Sequence, residues 1–174
     1  MSIKEKWNTW NNWQMEDPEL AEELQSMQFD KAKIEDCFYK DLEFGTGGLR
    51  GVLGVGTNRM NVYTVAKATQ GYSNYLNANC SSPSVAIAYD SRINSNKFAR
   101  VAAEVFAANG IRVYISRELM PTPFLSFSIR DLGGSGGVVI TASHNPAKYN
   151  GYKVYGPDGC QITTQTAKDI LGEI

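Results

Sequence analysis

Residues 84 to 115 restrict the fold more than any other stretch of the chain. Ser84 to Tyr89 is an apolar run of strand character, and Asp90 to Asn94 is turn-forming. Ser95 is the kind of residue that caps a helix. Beyond it, Phe98, Val101, Ala102, Val105 and Phe106 recur at the i, i+3, i+4, i+7, i+8 spacing of one buried helical face. Asn109-Gly110 stops that helix, and Ile111 to Ile115 is again a strand. Strand, helix, strand in this order is a βαβ unit. It requires two parallel strands and a right-handed crossover, which puts the chain in the α/β class.

The flanking segments extend this unit into a three-layer α/β/α domain with a mixed, mostly parallel sheet. Thr122-Pro123 opens a further helix, with the hydroxyl as cap and proline at the first helical position. The uninterrupted apolar run Gly137 to Thr141 reads as a central strand covered on both faces. Gly151 to Tyr155 reads as a shorter edge strand, Pro157-Asp158-Gly159 as a turn, and Thr163 or Thr164 as the cap of a last helix. Upstream, Asn61 caps a helix to about Asn77, weakened by Gly71. Residues 1–40 read as a separate helical extension ahead of a domain at 41–174. Trp7, Trp10 and Trp13 line one face within it, packed on their own protein, and Asp17 caps a helix whose first residue is Pro18. The last helical pattern has no stop signal before Ile174, which suggests the front part of a longer protein.

Composition narrows the function. With 43% hydrophobic and 20% charged residues the chain is globular. A net charge of -1 offers no electrostatic case for nucleic acid or an anionic membrane. No apolar run approaches the roughly 20 residues of a spanning helix, and Met1 to Trp13 lacks the apolar core of a secretory signal. Cys37, Cys80 and Cys160 are widely spaced, as expected of reduced thiols in a cytoplasmic protein.

The chemistry centres on Ser143, at the exit of the apolar strand and beside the only histidine, His144. Such strand ends are where open α/β sheets bind ligands. A hydrolase nucleophile needs an oriented base, and sequence neighbours usually point apart, so His144 is poorly placed to deprotonate Ser143. The flanking Thr-Ala-Ser-His-Asn is also not a G-x-S-x-G elbow. Ser143 could instead bind a phosphate or sugar, cap a turn, or carry a phosphate. A phosphate there would add about -1.5 to -2 charge, which Arg50 and Lys153 could neutralise. Arg50 sits in the glycine segment Phe44 to Gly56, which fits neither a dinucleotide fingerprint nor a P-loop. That segment either bends a strand or brings backbone close to a ligand. Asp90-Ser91-Arg92 is either a capped turn with a local ion pair or a wall that positions the serine loop. No D-x-D metal cluster occurs in the chain.

Five segments in order carry a resemblance: Gly45-Thr46-Gly47-Gly48-Leu49-Arg50-Gly51, Tyr89-Asp90-Ser91-Arg92, Pro121-Thr122-Pro123, Thr141-Ala142-Ser143-His144-Asn145-Pro146 and Asn150-Gly151-Tyr152-Lys153. Together they resemble the α-D-phosphohexomutase superfamily, the phosphoglucomutases and phosphomannomutases. The Trp-rich front resembles the branch with phosphoglucomutase 2 and phosphopentomutases. The resemblance implies that Ser143 carries a phosphate and passes it to a hexose phosphate. The resulting bisphosphate turns over and returns its other phosphate, interconverting hexose 1-phosphate and 6-phosphate. It also implies Mg2+ bound partly by the phosphate on Ser143, a hexose 1,6-bisphosphate activator, and roles for Lys153 (general acid/base or phosphate neutraliser), Arg50 (contact to the phosphoserine region) and His144 (lining the site or ordering its loop). The family has four domains, and the resemblance covers the first. The metal loop, sugar loop and main phosphate loop belong to the others, so this chain alone is expected to be inactive and to need the rest of its full-length chain. The alternative is a non-catalytic relative that binds phosphosugars.

Overall fold

A computed structural model describes residues 1–45 and 47–174; Thr46, in the glycine segment, lies outside the described residues. One five-stranded sheet holds β1 (Gly48–Val52), β2 (Ser84–Tyr89), β3 (Arg112–Ile115), β4 (Gly136–Ile140) and β5 (Tyr149–Tyr155), in the order β1-β5-β4-β2-β3. β2 pairs in parallel with β3 and β4, as the βαβ reading requires. β5 pairs antiparallel with both β4 and β1. Four strands therefore share one direction and β5 alone opposes them.

β4 is buried at every position and takes the middle place expected of an all-apolar strand. β5 differs from expectation. It is an interior strand, because the glycine segment supplies β1 as the outer edge beside it. Glycine weakens strand propensity and hid β1 in the sequence.

Successive strand residues face opposite sides of a sheet, and each side has its own cover. α4 (Val62–Asn79), α5 (Ser95–Ala108) and α7 (Thr164–Leu171) bury Val65, Tyr72, Phe98, Phe106 and Ile170 against Val85, Ile87, Val138, Ile140, Tyr152 and Val154. On the other side α6 (Thr122–Asp131) packs Leu125 and Ile129 onto Ala86, Ala88, Val139 and Tyr155. That second cover does not reach β1, so the face of the β1–β5 edge stays open to a groove.

Asn61 caps α4 through a reciprocal capping box with Thr64. The helix runs unbroken past Gly71, where a Cβ would collide with the Ile174 side chain. Thr163 caps α7. Two expected caps differ. α6 starts at Thr122 itself with Pro121 ahead of it, and neither α6 nor α5 has a side-chain cap. Ser95 is the first residue of α5 and spends its hydroxyl elsewhere.

Residues 1–40 form α1 (Ile3–Asn11), α2 (Pro18–Ser26) and α3 (Lys31–Phe38). They bury Leu24, Met27, Cys37 and Phe38 with Val55 from the loop after β1. Trp7 and Trp10 meet Phe38 edge-on, each at 5.7 Å between ring centroids. Trp13 falls beyond the end of α1 and packs instead on Tyr63 at 4.4 Å. Asp17 caps α2 and holds Lys97 of α5 at 2.7 Å.

Candidate active site

Ser143 lies three residues beyond the buried end of β4, after the buried Thr141 and Ala142. Its backbone N–H donates to the Thr141 hydroxyl at 3.0 Å, a local turn that competes with strand continuation. The turn holds Ser143 at φ 55, in the left-handed region. For an L-residue with a Cβ this costs about 1–2 kcal/mol, and it leaves the serine side chain exposed at the loop tip.

That conformation also changes the position of His144. Sequence neighbours diverge on a strand, yet here Ser143 Oγ and His144 Nδ1 approach to 3.4 Å. The contact is at the outer limit for a hydrogen bond. Among the described residues no carboxylate orients the ring, so the third member of a base-activated triad is missing.

The loop is held from beneath by Arg92. Its Nη2 donates to the carbonyls of Ser143 and Asn145, both at 2.6 Å, and its Nη1 to those of Pro146 and Tyr149, both at 3.2 Å. Asp90 steadies this guanidinium, with Oδ2 3.6 Å from Nε. Asp90 also accepts from the Ser95 hydroxyl at 2.7 Å, and that hydroxyl accepts from Asn150 Nδ2 at 3.0 Å. Asp90-Ser91-Arg92 is thus more than a local turn. It ties the start of α5 to both ends of the serine loop. The sequence names Arg92 only as part of that triplet, a capped turn with a local ion pair or a wall that positions the serine loop; its contact with four carbonyls is visible only in the fold.

Arg50 and Lys153 come together by register. Gly48 lies opposite Lys153 and Arg50 opposite Gly151, which puts the two cations on one face as diagonal neighbours, roughly 7–8 Å apart at Cα. Gly48 makes the pairing possible, because at φ 124 a Cβ would strike the Tyr152 carbonyl. Both cations line an open groove of about 740 Å³ with Thr141, Tyr149, Lys40 and Arg59. Thr141 and Tyr149 bracket the serine loop, so the groove ends against it; Ser143 and His144 project from the loop rather than line the groove. Lys40 and Arg59 are paired with Glu43 and Asp36. Arg50 and Lys153 take part in no ion pair among the described residues, so their charge is available to an anion. Arg50 Nη1 also reaches Asn145 Oδ1 on the serine loop. Behind the groove, burial pushes the Tyr152 phenol well above its ordinary range and its oxygen accepts from Thr69 at 3.1 Å. Tyr152 is therefore a neutral core residue at physiological pH.

The chain as a whole matches a known family. The model of phosphoglucomutase/phosphomannomutase alpha/beta/alpha domain I matches residues 41–174. The chain belongs to this family. It is 40% identical over 161 residues to a phosphoglucomutase of Staphylococcus epidermidis, covering 92% of this chain and 29% of that protein. It is 46% identical over 131 residues to a phosphoglucomutase of Staphylococcus aureus strain USA300, covering 75% of this chain and 24% of the relative. Among solved structures, a candidate phosphomannomutase from Thermus thermophilus superimposes with a TM-score of 0.72 at 32% identity, covering 78% of this chain and 30% of the other. Compared with its phosphoglucomutase relatives this member of the family spans less than a third of their length, and the matched part is domain I. No helix among the described residues is long and apolar enough to cross a membrane.

Proposed function

We propose that this chain is the phosphoserine-bearing domain I, residues 41–174 behind a helical extension at 1–40, of a cytoplasmic phosphosugar mutase that interconverts hexose 1-phosphate and 6-phosphate. The observation that carries the reading is Ser143, exposed and left-handed on a clamped loop, at the end of a groove that holds Arg50 and Lys153, two cations without an ion pair among the described residues. Phosphoryl transfer depends mainly on positioning and charge neutralisation, and these residues supply both.

In this reading a phosphate on Ser143 is attacked by a sugar hydroxyl. The P–O bond to the sugar forms as the bond to Ser143 Oγ breaks; the departing Oγ takes a proton from the Lys153 ammonium and the sugar hydroxyl returns its own proton to Lys153, so the charge of Lys153 is unchanged over the step. The bisphosphate reorients and its other phosphoryl group returns to Ser143. Arg50 neutralises the transferring phosphoryl oxygens, and His144 lines the serine side of the site.

Mg2+ belongs to the same proposal, with a limited contribution from this chain. Among the described residues no cluster of three histidine, cysteine or acidic side chains could hold an ion, and the nearby Asp90 carboxylate is committed to Arg92 and Ser95. The local donor set would be an oxygen of the phosphate on Ser143, where the ion would neutralise phosphoryl charge. The remaining ligands, and the grip on the sugar, fall to further domains of the kind its longer relatives have.

The test uses the full-length protein carrying this chain, incubated with glucose 1,6-bisphosphate. Phosphate on Ser143 by mass spectrometry and turnover in a coupled mutase assay are expected, with no turnover from the 174-residue chain alone. Sugar-phosphate binding without phosphate on Ser143 would favour a non-catalytic relative instead.

A further inference from the structure

The geometry points to Arg92 as a positioning residue for phosphoryl transfer, one that holds the Ser143 oxygen on its line of attack without touching substrate. The inference rests on the mutase reading of Ser143.

Three carbonyls of the serine loop, those of Ser143, Asn145 and Pro146, and that of Tyr149 where the loop enters β5, converge on a single guanidinium. A loop whose carbonyls point inward in this way cannot keep its shape without a donor at the centre, because unpaired carbonyls turn outward to water. Arg92 supplies the required number of N–H groups from one planar fork, and Asp90 and the Ser95–Asn150 link hold the fork itself. The left-handed Ser143 is the strained member of that loop, and its carbonyl takes one of the two shortest bonds. Arg92 therefore holds in place the backbone torsion that aims the hydroxyl outward.

The chemistry separates this role from general stability. Lysine keeps the charge but offers three donors from a point, and cannot span four carbonyls. Losing the clamp lets Ser143 relax towards an ordinary conformation, which displaces Oγ from the phosphoryl line. A displacement of about 1 Å is enough to slow a positioned reaction roughly 100-fold.

The experiment compares the full-length wild-type protein with Arg92→Lys and Arg92→Ala, following phosphate transfer from glucose 1,6-bisphosphate to Ser143 by rapid quench and steady-state mutase kinetics. Both variants are expected to lose about 100-fold in kcat with KM changed less than about threefold, as a misplaced reacting group predicts. Millimolar methylguanidinium is expected to restore at least roughly tenfold to Arg92→Ala and nothing to Arg92→Lys, whose side chain fills the space. Hydrogen exchange of the 142–150 segment should accelerate in both variants while α4 and α5 stay protected. Transfer to Ser143 at the wild-type rate in Arg92→Lys, or a loss carried by KM alone, overturns the inference. A wild-type protein that takes no phosphate on Ser143 defeats the mutase reading first, and that failure is visible in the wild-type arm alone.

Discussion

Arg50 Nη1 lies 3.4 Å from Asn145 Oδ1, joining the edge strand β1 to the serine loop across 95 residues of sequence. The contact matters because Arg50 makes no ion pair among the described residues. It aims a guanidinium with unused donors at the end of the groove where Ser143 projects, and it makes β1 part of the site rather than a border of the sheet.

Removing either free cation should slow transfer to Ser143. Arg50→Ala and Lys153→Ala are each expected to lower kcat by about 100-fold, the usual cost of deleting one group that stabilises transition-state charge. Arg50→Lys should recover only part of the loss, since a point charge cannot hold Asn145 and face an anion together. Single-turnover phosphorylation of Ser143 reads this directly. Wild-type rates in both alanine variants would remove these residues from the site.

The left-handed backbone at Ser143 can be tested apart from its chemistry. Ser143→Gly and Ser143→Ala should both fail to take phosphate, yet Ser143→Gly should be the more stable of the two by about 1 kcal/mol, because only glycine adopts φ 55 without strain. Urea denaturation compares them. Equal stabilities would mean the strain is absent.

Gly48→Ala should damage the sheet edge and the site at once. Its Cβ would meet the Tyr152 carbonyl at a backbone angle alanine avoids, for a cost of about 1–3 kcal/mol. Because Gly48 is opposite Lys153, transfer to Ser143 should slow as well. Thermal melting and the quench assay measure the two effects separately.

The Asp17–Lys97 pair between the start of α2 and α5 is expected to make stability pH-dependent. Burial alone would raise its carboxyl, but the Lys97 ammonium at 2.7 Å and the Leu20 and Glu19 N–H groups outweigh it and hold the group below the ordinary range. A carboxyl lowered in the folded state contributes stability that is complete above its unfolded value of about 3.9 and is lost as pH falls through the lower folded value. Asp17→Asn keeps a capping residue while removing the charge. Because Lys97 is partly exposed, the difference at pH 7 should be no more than about 1 kcal/mol. It should close as the solution is acidified below pH ~4, followed by urea midpoints. A constant gap across that range would show that the ion pair contributes nothing.

The positions most legible in the sequence are those where local chemistry and burial agree. The βαβ unit, the all-apolar β4, the Asn61 cap and the Asp17-Pro18 helix start each follow from spacing or side-chain type within a few residues. The candidate roles of Ser143, Arg50, His144 and Lys153 come from motif order. The sequence alone therefore determined the fold class, most of the elements and the serine at the strand end.

Tertiary structure decided the rest, for a physical reason common to each case: the partner lies outside the local pattern, usually far away in sequence. β5 is interior because β1, poor in strand propensity, pairs outside it. Ser95 gives up capping because Asp90 and Asn150 compete for its hydroxyl. Ser143 and His144 approach because a turn closed by Thr141 breaks strand alternation. Arg92 becomes the centre of the serine loop only when carbonyls from residues 143 to 149 converge on it. A sequence records which donors and acceptors a chain carries, and folding decides which of them meet.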